Sequence, residues 1–472
     1  ALQFELRIAS QRGVARVLWS PSLAFPGLAG SERLSRRTSL PPRARLLARD
    51  GSVLAEGTPS VAGARSSPLG ELASAVVGTV GPAPAARQPV LEAAGVPAGA
   101  LVGVSGLEAL FDERLRGRPG GELLASSPTG VRVLVSAGAK PAPALRTTIS
   151  PRVQRAAVLA LGGQYGGIVA LAPTSGEVLA VAGIGLDGLQ PPGSTFKMVT
   201  LSAVLEAKVA SARSSFPYAT YATLDGVKLS NAGGEECGGT LEVAFAVSCN
   251  SVFAPLGVKV GAARLVAAAE RFGFNRPTGI EGAPASTIPP ASQIQGELDL
   301  GSTAIGQGQV LATPLQMALV AATVADGGRR PQPTFAPFAG ANGAGPRVLS
   351  ASVAHTVRRL MEAVVREGTG TAAAISGVVV AGKTGTAELK TACGGSGASG
   401  AGEAQSGEPR GGTCEPGAAS ETANTDAWFA AFAPAVHPRV DVGVLLVKDG
   451  AGGATAAPVA REVMEAALAR GS

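Results

Sequence analysis

Three short motifs place serine, lysine and other hydrogen-bonding residues at spacings that suit acyl transfer. They occur in the order Ser194-Thr-Phe-Lys197, Ser248-Cys-Asn250 and Lys383-Thr-Gly-Thr386. Each motif alone arises by chance in a chain of 472 residues. In this order, and each in a fitting local context, they indicate a nucleophilic serine whose general base is a lysine.

Ser194 and Lys197 are the candidate nucleophile and base. Residues three apart on a helix lie on one face, so we expect the two side chains within contact distance. A helix N-terminus and burial both disfavour the ammonium form, which lowers the pKa of the lysine toward a useful base. Arginine does not lose its proton and cannot take this role, and only eight of the 40 basic residues are lysines.

Ser248 and Asn250 are the second pair of candidates. The serine hydroxyl would relay a proton between Lys197 and a leaving-group nitrogen, and the Asn250 amide would orient a substrate amide through its donor and its acceptor. A serine and an asparagine two apart are also common at the start of a helix. This motif therefore gains its meaning from the other two.

The third motif supplies four candidate substrate-binding residues. They are Lys383, Thr384, Gly385 and Thr386. A lysine and two hydroxyls after the strand predicted at 378–381 suit a substrate carboxylate, and a glycine removes side-chain bulk where a ligand must approach. We expect a backbone N–H near Thr386 to form an oxyanion hole with that of Ser194. A simple turn at a strand end is the alternative interpretation.

His355 and His437 are the two histidines of the chain. A tri-histidine zinc site is therefore excluded, and both are interpreted as surface or packing residues. A Ser-His-Asp triad is not expected either, which favours the lysine base. We expect neither a metal nor a cofactor at the site.

The charge and the apolar segments bear on partners and location. The net charge of +6 suits an anionic environment such as a cell wall or a membrane surface. Nucleic acid is not an expected partner, because no basic run with interleaved aromatic residues occurs and aromatics are 4% of the chain. No run of 18 apolar residues occurs, and the first residues resemble the middle of a strand, so we expect a membrane anchor upstream of this chain.

The four cysteines group along the sequence as Cys237 with Cys249 and Cys393 with Cys414. Four cysteines allow three connectivities, of which pairing within each group is the simplest. Two disulfides indicate an oxidising compartment. The residues between Cys393 and Cys414 are rich in glycine and serine, so we predict that this second disulfide closes a flexible loop.

The pattern of the chain predicts an α+β protein. Residues 1–41 form a leading piece, residues 42–148 hold short strands broken by Gly and Pro, and a Pro-Ala-Pro linker precedes the main domain, 149–472. In the main domain we predict strands at 167–172, 178–182, 378–381, 427–433 and 440–447, and helices at 151–161, 352–366 and 457–469. Strands at both ends of the domain with helices between them indicate one antiparallel sheet covered by helices.

These motifs resemble those of class B penicillin-binding proteins, the D,D-transpeptidases of peptidoglycan synthesis. Further similarities are Gly106-Leu-Glu108 with Leu115-Arg-Gly117, which resemble the family's pedestal signature, and the segments Thr313-Pro-Leu-Gln316 and Trp428-Phe-Ala-Ala-Phe-Ala-Pro434. The residues around Trp19 are similar to the exit from an NTF2-like domain in MecA-like members, a type we associate with actinobacteria. Residues 1–41 would then be part of such a domain and 42–148 a pedestal of the dimerisation type.

The resemblance implies the serine β-lactamase/transpeptidase-like fold and specific roles. Ser194 would be the nucleophile, Lys197 the base and Ser248 the proton relay, with Lys383, Thr384 and Thr386 binding the carboxylate and forming the oxyanion hole. The substrates would be stem peptides ending in D-Ala-D-Ala, and β-lactams would acylate the same serine. We expect action at the extracytoplasmic face of the membrane, beside cell-wall elongation or division proteins.

Two other functions stay open on the sequence alone. A class D β-lactamase also carries Ser-Thr-Phe-Lys, but the 148 leading residues and the pedestal signature disfavour it. A penicillin sensor or scaffold would be acylated without turnover. D-Ala-D-Ala carboxypeptidase activity beside transpeptidation also stays open. The fate of a penicillin adduct, with and without an amine acceptor, distinguishes these functions.

Overall fold

The computed structural model describes residue 3 and residues 5–337, 345–388 and 424–469. The chain forms two compact units, residues 1–47 with 51–146 and residues 48–50 with 147–472. Among the described residues, no single helix is long and apolar enough to cross a membrane. One bent pair, Asn250–Val260 with Ala262–Phe272, meets that length and composition when its two helices are taken together.

The first unit consists of short strands and short helices. Its strands are β1 (Ile8–Gln11), β2 (Val14–Val17), β3 (Arg33–Ser39), β4 (Leu46–Leu47), β5 (Val53–Ala55), β6 (Val80–Pro82), β7 (Leu101–Gly103), β8 (Gly120–Ser127), β9 (Gly130–Ala137) and β10 (Leu145–Arg146). Its helices are α1 (Glu71–Val77), α2 (Gln88–Ala93), α3 (Gly106–Leu110) and α4 (Asp112–Arg116). The longest strands form an antiparallel sheet in the order β3–β8–β9, so residues 33–39 of the leading piece pair with residues 120–126.

A cluster of buried charges lies where α3 and α4 meet. The Glu108 carboxylate is fully buried and accepts hydrogen bonds from Arg43 at 2.6 Å and from Arg65 at 3.0 Å. Asp112, 2% exposed, accepts from Arg43 and from Arg116. A buried charge is costly unless it is paired, so these pairs tie the two short helices to the segments that carry Arg43 and Arg65.

We predict that Glu108→Gln destabilises the first unit by about 3–5 kcal/mol, because among the described residues it leaves the buried Arg65 without an ion-pair partner and Arg43 with Asp112 alone. The matched control is Glu122→Gln, which removes an ion pair with Arg37 whose side chains are 33% and 69% exposed. This exposed pair should contribute less than about 1 kcal/mol. Urea unfolding of both variants measures the difference. Equal losses would show that the buried cluster does not hold the unit together.

The second unit alternates strands and helices around one main sheet. Its strands are β11 (Gly166–Leu171), β12 (Val178–Gly183), β13 (Ser215–Ala219), β14 (Tyr221–Leu224), β15 (Val227–Ser230), β16 (Cys237–Thr240), β17 (Ala381–Glu388), β18 (Thr425–Ala433) and β19 (Val440–Leu446). Its helices are α5 (Pro151–Leu161), α6 (Lys197–Glu206), α7 (Leu241–Ala246), α8 (Asn250–Val260), α9 (Ala262–Phe272), α10 (Gly296–Ala304), α11 (Pro314–Ala325), α12 (Ala351–Glu367) and α13 (Ala456–Leu468).

The main sheet has the order β12–β11–β19–β18–β17, and each neighbouring pair is antiparallel. One face packs against α5 and α13, and the other packs against the helices between α6 and α12. The predicted α+β fold, an antiparallel sheet flanked by helices, is confirmed. Its strands are apolar at successive positions because both faces of the sheet are buried.

Helix α11 shows how the sequence fixes the packing on the site's side of the sheet. Thr313 caps the helix by accepting a hydrogen bond from the Gln316 N–H, and Pro314 occupies the first turn. On the central strand, a Cβ at Gly443 would lie 2.2 Å from the Pro314 carbonyl oxygen. A glycine is therefore required for the helix to lie this close to the sheet.

Helices α3 and α4 are separate, because Phe111 between them, with φ −111° and ψ 19°, leaves the helical region. One predicted element differs from the structure. The strand predicted at 378–381 begins only at Ala381, since Val378 forms an isolated bridge with Ile375. The third motif therefore lies inside β17, paired with β18, and not after a strand.

Candidate active site

Ser194 lies in a 3₁₀ turn, Gly193–Phe196, that continues directly into α6. The Lys197 N–H donates to the Ser194 carbonyl oxygen, and three residues per turn place Ser194 and Lys197 on one face. Phe196 is buried edge-on against Phe274, with 5.4 Å between the ring centroids. Ser194 is only half-buried, so the turn presents this hydroxyl while its neighbours anchor it.

Lys197 is fully buried and is held by the second motif. Its Nζ donates to the Ser248 carbonyl oxygen at 2.6 Å and to Asn250 Oδ1 at 2.7 Å. Burial lowers the pKa of Lys197 well below its usual value, and the positive charge of Lys383 lowers it further. A neutral amine that donates its two hydrogens to these two oxygens keeps its lone pair available for a proton.

Ser248 lies between two lysines, where α7 passes into α8. Its Oγ accepts from Lys383 Nζ at 2.9 Å and lies 3.3 Å from Lys197 Nζ. Its φ of 64° is in the left-handed region, which is uncommon for a residue with a side chain and is characteristic of functional sites. Because the oxygen accepts from lysine, the hydroxyl hydrogen is left for another partner.

Lys383 is buried on β17, the edge strand of the main sheet. Its Nζ donates to Ser248 Oγ and to the Thr384 carbonyl oxygen at 3.1 Å. Burial lowers the pKa of Lys383 to about 7, so its charge changes within the neutral pH range. The two lysines thus meet at one serine hydroxyl, and a cation at Lys383 favours a neutral Lys197.

The two threonines of the third motif are held from outside it. The Thr384 hydroxyl lies 2.6 Å from that of Thr369, which also contacts the Ala246 carbonyl oxygen at the end of α7. Thr386 Oγ1 accepts from the Gly452 N–H at 3.4 Å. Thr369 therefore connects the edge strand to the helix that leads into Ser248, a link that no sequence signal indicated.

Gly385 packs against the turn that carries Ser194. A Cβ at this position would lie 2.8 Å from the Pro192 carbonyl oxygen, 2.8 Å from Trp428 Cβ and 3.0 Å from Thr195 Cγ2. A glycine is therefore required here by the packing of the protein itself, whereas the approach of a ligand stays a prediction. Gly193 closes the same contact from the other side, where a Cβ would lie 2.7 Å from the Thr386 carbonyl oxygen.

The structure joins Cys237 to Cys249 in a disulfide, as the pairing within each group predicted. Cys249 is buried between Ser248 and Asn250, so the disulfide ties the second motif to β16. The predicted bond between Cys393 and Cys414 concerns residues outside the described ranges. It stays a prediction.

The structure brings the three predicted motifs together, with one difference from the expected contacts. Within the described part of the chain, Lys197 Nζ bonds to Ser248 and Asn250, and no hydrogen bond joins it to Ser194 Oγ. Such catalytic contacts are often long before substrate binds. His355 on α12 and His437 are both exposed and lie outside this arrangement.

The fold and the site together are those of a serine acyltransferase. The family model described as "Penicillin binding protein transpeptidase domain" matches residues 166–465, and that described as "Penicillin-binding Protein dimerisation domain" matches residues 58–143. The chain belongs to the penicillin-binding protein transpeptidase family, with the class B arrangement that the motifs predicted.

Individual relatives agree with this assignment. The chain is 34% identical over 398 residues to "Peptidoglycan D,D-transpeptidase PbpA" of Mycolicibacterium smegmatis, which covers 69% of this chain and 72% of the relative. Pseudomonas aeruginosa PBP2 in complex with WCK 5153 matches with a TM-score of 0.73 and 26% identity, over 92% of this chain and 96% of that one. The imipenem acyl-enzyme complex of penicillin-binding protein A from M. tuberculosis matches with a TM-score of 0.65 and 26% identity, over 90% and 98%.

We predict that Gly385→Ala lowers the rate of serine acylation by about 10²-fold, because the added Cβ displaces the turn that carries Ser194 by a fraction of an ångström or more. The control is Gly138→Ala, where no heavy atom lies within 4 Å of the new Cβ. Acylation by a fluorescent penicillin measures both variants. A wild-type rate in Gly385→Ala would mean that the contact with Pro192 does not set the position of the nucleophile.

Proposed function

We infer that the protein is a peptidoglycan D,D-transpeptidase that forms an acyl-enzyme on Ser194 and that β-lactams acylate the same residue. The mycobacterial relatives are named for this activity, and two of the similar structures are β-lactam acyl-enzyme complexes. The observation that carries the inference is the buried Lys197, whose two carbonyl contacts leave its lone pair beside the nucleophile's turn.

We propose that acylation begins when neutral Lys197 takes the Ser194 hydroxyl proton. The Ser194 oxygen then bonds to the carbonyl carbon of the penultimate D-Ala of the donor peptide, or of the β-lactam ring. The oxyanion is stabilised by the backbone N–H groups of Ser194 and Thr386. The close packing of Gly193 and Gly385 supports this assignment, because it holds the backbone of the serine turn close to that of β17.

Collapse of the tetrahedral intermediate breaks the bond to the leaving nitrogen, which must receive a proton. The Ser248 hydroxyl donates that proton and is reprotonated from Lys197, which returns the lysine to its neutral form. An acceptor amine then attacks the acyl-enzyme, and the same groups carry its proton away in the reverse direction. If water takes the place of the amine, the same steps give carboxypeptidase activity.

We propose that Lys383 binds the carboxylate of the substrate together with the threonine hydroxyls at 384 and 386. The Asn250 amide offers less than the sequence suggests, because Oδ1 accepts from Lys197 and Nδ2 already donates to the Ser230 carbonyl oxygen at 2.9 Å. One Nδ2 hydrogen is left to orient a substrate amide. Asn250 therefore serves the base as well as the substrate.

We propose that residues 149–472 form the transpeptidase domain, residues 42–148 its pedestal and residues 1–41 part of an NTF2-like domain. The Cys237–Cys249 disulfide and a peptidoglycan substrate support action at the extracytoplasmic face of the membrane. The protein would act there beside cell-wall elongation or division proteins.

The test of the proposed function is the fate of a penicillin adduct and of a D-Ala-D-Ala donor. We predict that peptide mass spectrometry places the adduct on Ser194, that the adduct is stable for hours, and that an added D-amino acid receives the acyl group of the donor peptide. Ser194→Ala is the control and should carry no label. Fast release of the penicillin would identify a β-lactamase, and a stable adduct without transfer would identify a sensor.

The charge of Lys383 predicts a specific dependence on pH. Above about pH 7 in the free enzyme its ammonium is lost, so the second-order acylation constant for a carboxylate-bearing β-lactam should fall with rising pH. Lys383→Arg should remove this alkaline limb, because the guanidinium keeps its charge. The exposed Lys228, substituted by arginine, is the control and should leave the profile unchanged. An alkaline limb that persists in Lys383→Arg would assign it to another group.

A further inference from the structure

The loop that follows β15 is exposed in its middle and buried at its two ends. Residues 232–236 are exposed, whereas Asn231 is 6% exposed and Cys237 is 7% exposed. Both ends connect to the segment Cys249–Ser251. Cys237 forms its disulfide with Cys249, and Asn231 accepts a hydrogen bond from the Ser251 N–H. The loop is therefore anchored at Cys249, within the second motif, and at Ser251, the residue that follows the motif.

The side chain of Asn231 makes three hydrogen bonds, all to the backbone. Nδ2 donates to the carbonyl oxygens of Ala219 and Glu235, each at 2.8 Å. Oδ1 accepts from the Ser251 N–H at 2.8 Å. In addition, the backbone N–H of Asn231 donates to the Thr220 carbonyl oxygen at 2.9 Å. A buried amide that is satisfied at every position holds these segments in one arrangement.

The bond to Ser251 acts as a helix cap supplied from a distance. The first N–H groups of a helix have no partner within it, and the residue before α8, Cys249, makes no side-chain cap. Asn231 caps α8 in its place. The adjacent Ser230 carbonyl oxygen accepts from Asn250 Nδ2, so the same two residues fix both the first turn of α8 and the Asn250 amide.

The Asn250 amide links the first turn of α8 to Lys197. With Nδ2 bound to Ser230, the opposite end of the amide, Oδ1, is directed at Lys197 Nζ at 2.7 Å. A rotation or shift of α8's first turn would therefore change the acceptor that orients the lysine amine. Asn231 touches no reacting atom, but it lies two contacts away from the group that takes the proton.

We propose that Asn231 is a positioning residue of the acylation site: as the cap of α8 it holds Asn250 so that Lys197 presents its lone pair to Ser194. The disulfide to Cys249 fixes the other end of the same loop. This inference rests on the proposed function, because it assigns Asn231 an effect on the chemical step and not only on stability.

The test compares Asn231→Ala with a buried amide that clamps a strand elsewhere. Gln154 on α5 is 1% exposed and makes two hydrogen bonds with the backbone of Val181, at 2.7 and 2.9 Å. Stopped-flow acylation by a chromogenic cephalosporin separates the limiting rate from the half-saturating concentration. We expect Asn231→Ala to lower the limiting rate by about 10²-fold with little change in half-saturation. Gln154→Ala should lower the thermal midpoint by about as much as Asn231→Ala does, but its limiting rate should equal that of the wild type.

A second variant keeps the cap and removes the other two bonds. Asn231→Asp retains an acceptor for the Ser251 N–H and gives a negative charge at a helix N-terminus, so its limiting rate should be within about threefold of wild type despite a lower midpoint. If Asn231→Ala does not fold, this variant decides: a loss greater than tenfold overturns the proposal. So does a wild-type rate in Asn231→Ala, or an equal loss of rate in Gln154→Ala.

Acylation of the wild-type protein distinguishes a failure of this proposal from a failure of the proposed function. A wild type that forms no adduct on Ser194 overturns the proposed function, and the role of Asn231 with it. If the wild type is acylated and the variants at Asn231 and Gln154 both keep its limiting rate, the proposed function stands and only the positioning role is overturned.

Discussion

The burial of two lysine side chains around one serine hydroxyl is the constraint on which the second unit depends. Lys197 and Lys383 are both fully buried, and burial lowers the pKa of each. Among the described residues, neither lysine has a carboxylate partner, and their contacts are carbonyl oxygens, hydroxyls and one amide. Neutral acceptors satisfy the N–H groups without stabilising the ammonium form as a carboxylate would, so the pKa of each lysine stays low.

The fold meets this constraint with segments far apart in the sequence. The turn before α6, the junction of α7 with α8 and the edge strand β17 each contribute one motif. The edge position of β17 leaves one side of the strand open toward the serine turn, and glycine at 385 lets that turn approach. The unusual φ of Ser248 is held because the helices on both sides of it are buried.

Much of this arrangement can be predicted from the sequence, and there is a physical reason why the rest cannot. Strands buried on both faces and the amphipathic helix at 351–367 have clear periodicity, and the chemical residues stand at characteristic spacings. Lone polar residues such as Asn231 and Thr369 carry no pattern, because their importance depends on which backbone groups tertiary packing leaves beside them. The sequence indicated that Gly385 lacks a side chain for a reason of space, but the turn that packs there, Pro192 to Thr195, lies far earlier in the chain, which no local pattern indicates.

The two units resolve the same electrostatic problem in opposite ways. In the first, Glu108 is buried together with Arg43 and Arg65, so the charges are retained and paired. In the described part of the second, Lys197 and Lys383 are buried without a carboxylate partner, so the cost of burial appears as lowered pKa values. An acid placed beside Lys197 would stabilise its ammonium form. Pairing therefore keeps the charges of the first unit in place. Among the described residues Lys197 has no carboxylate partner, and this keeps its pKa low, as the proposed role of Lys197 as the base requires.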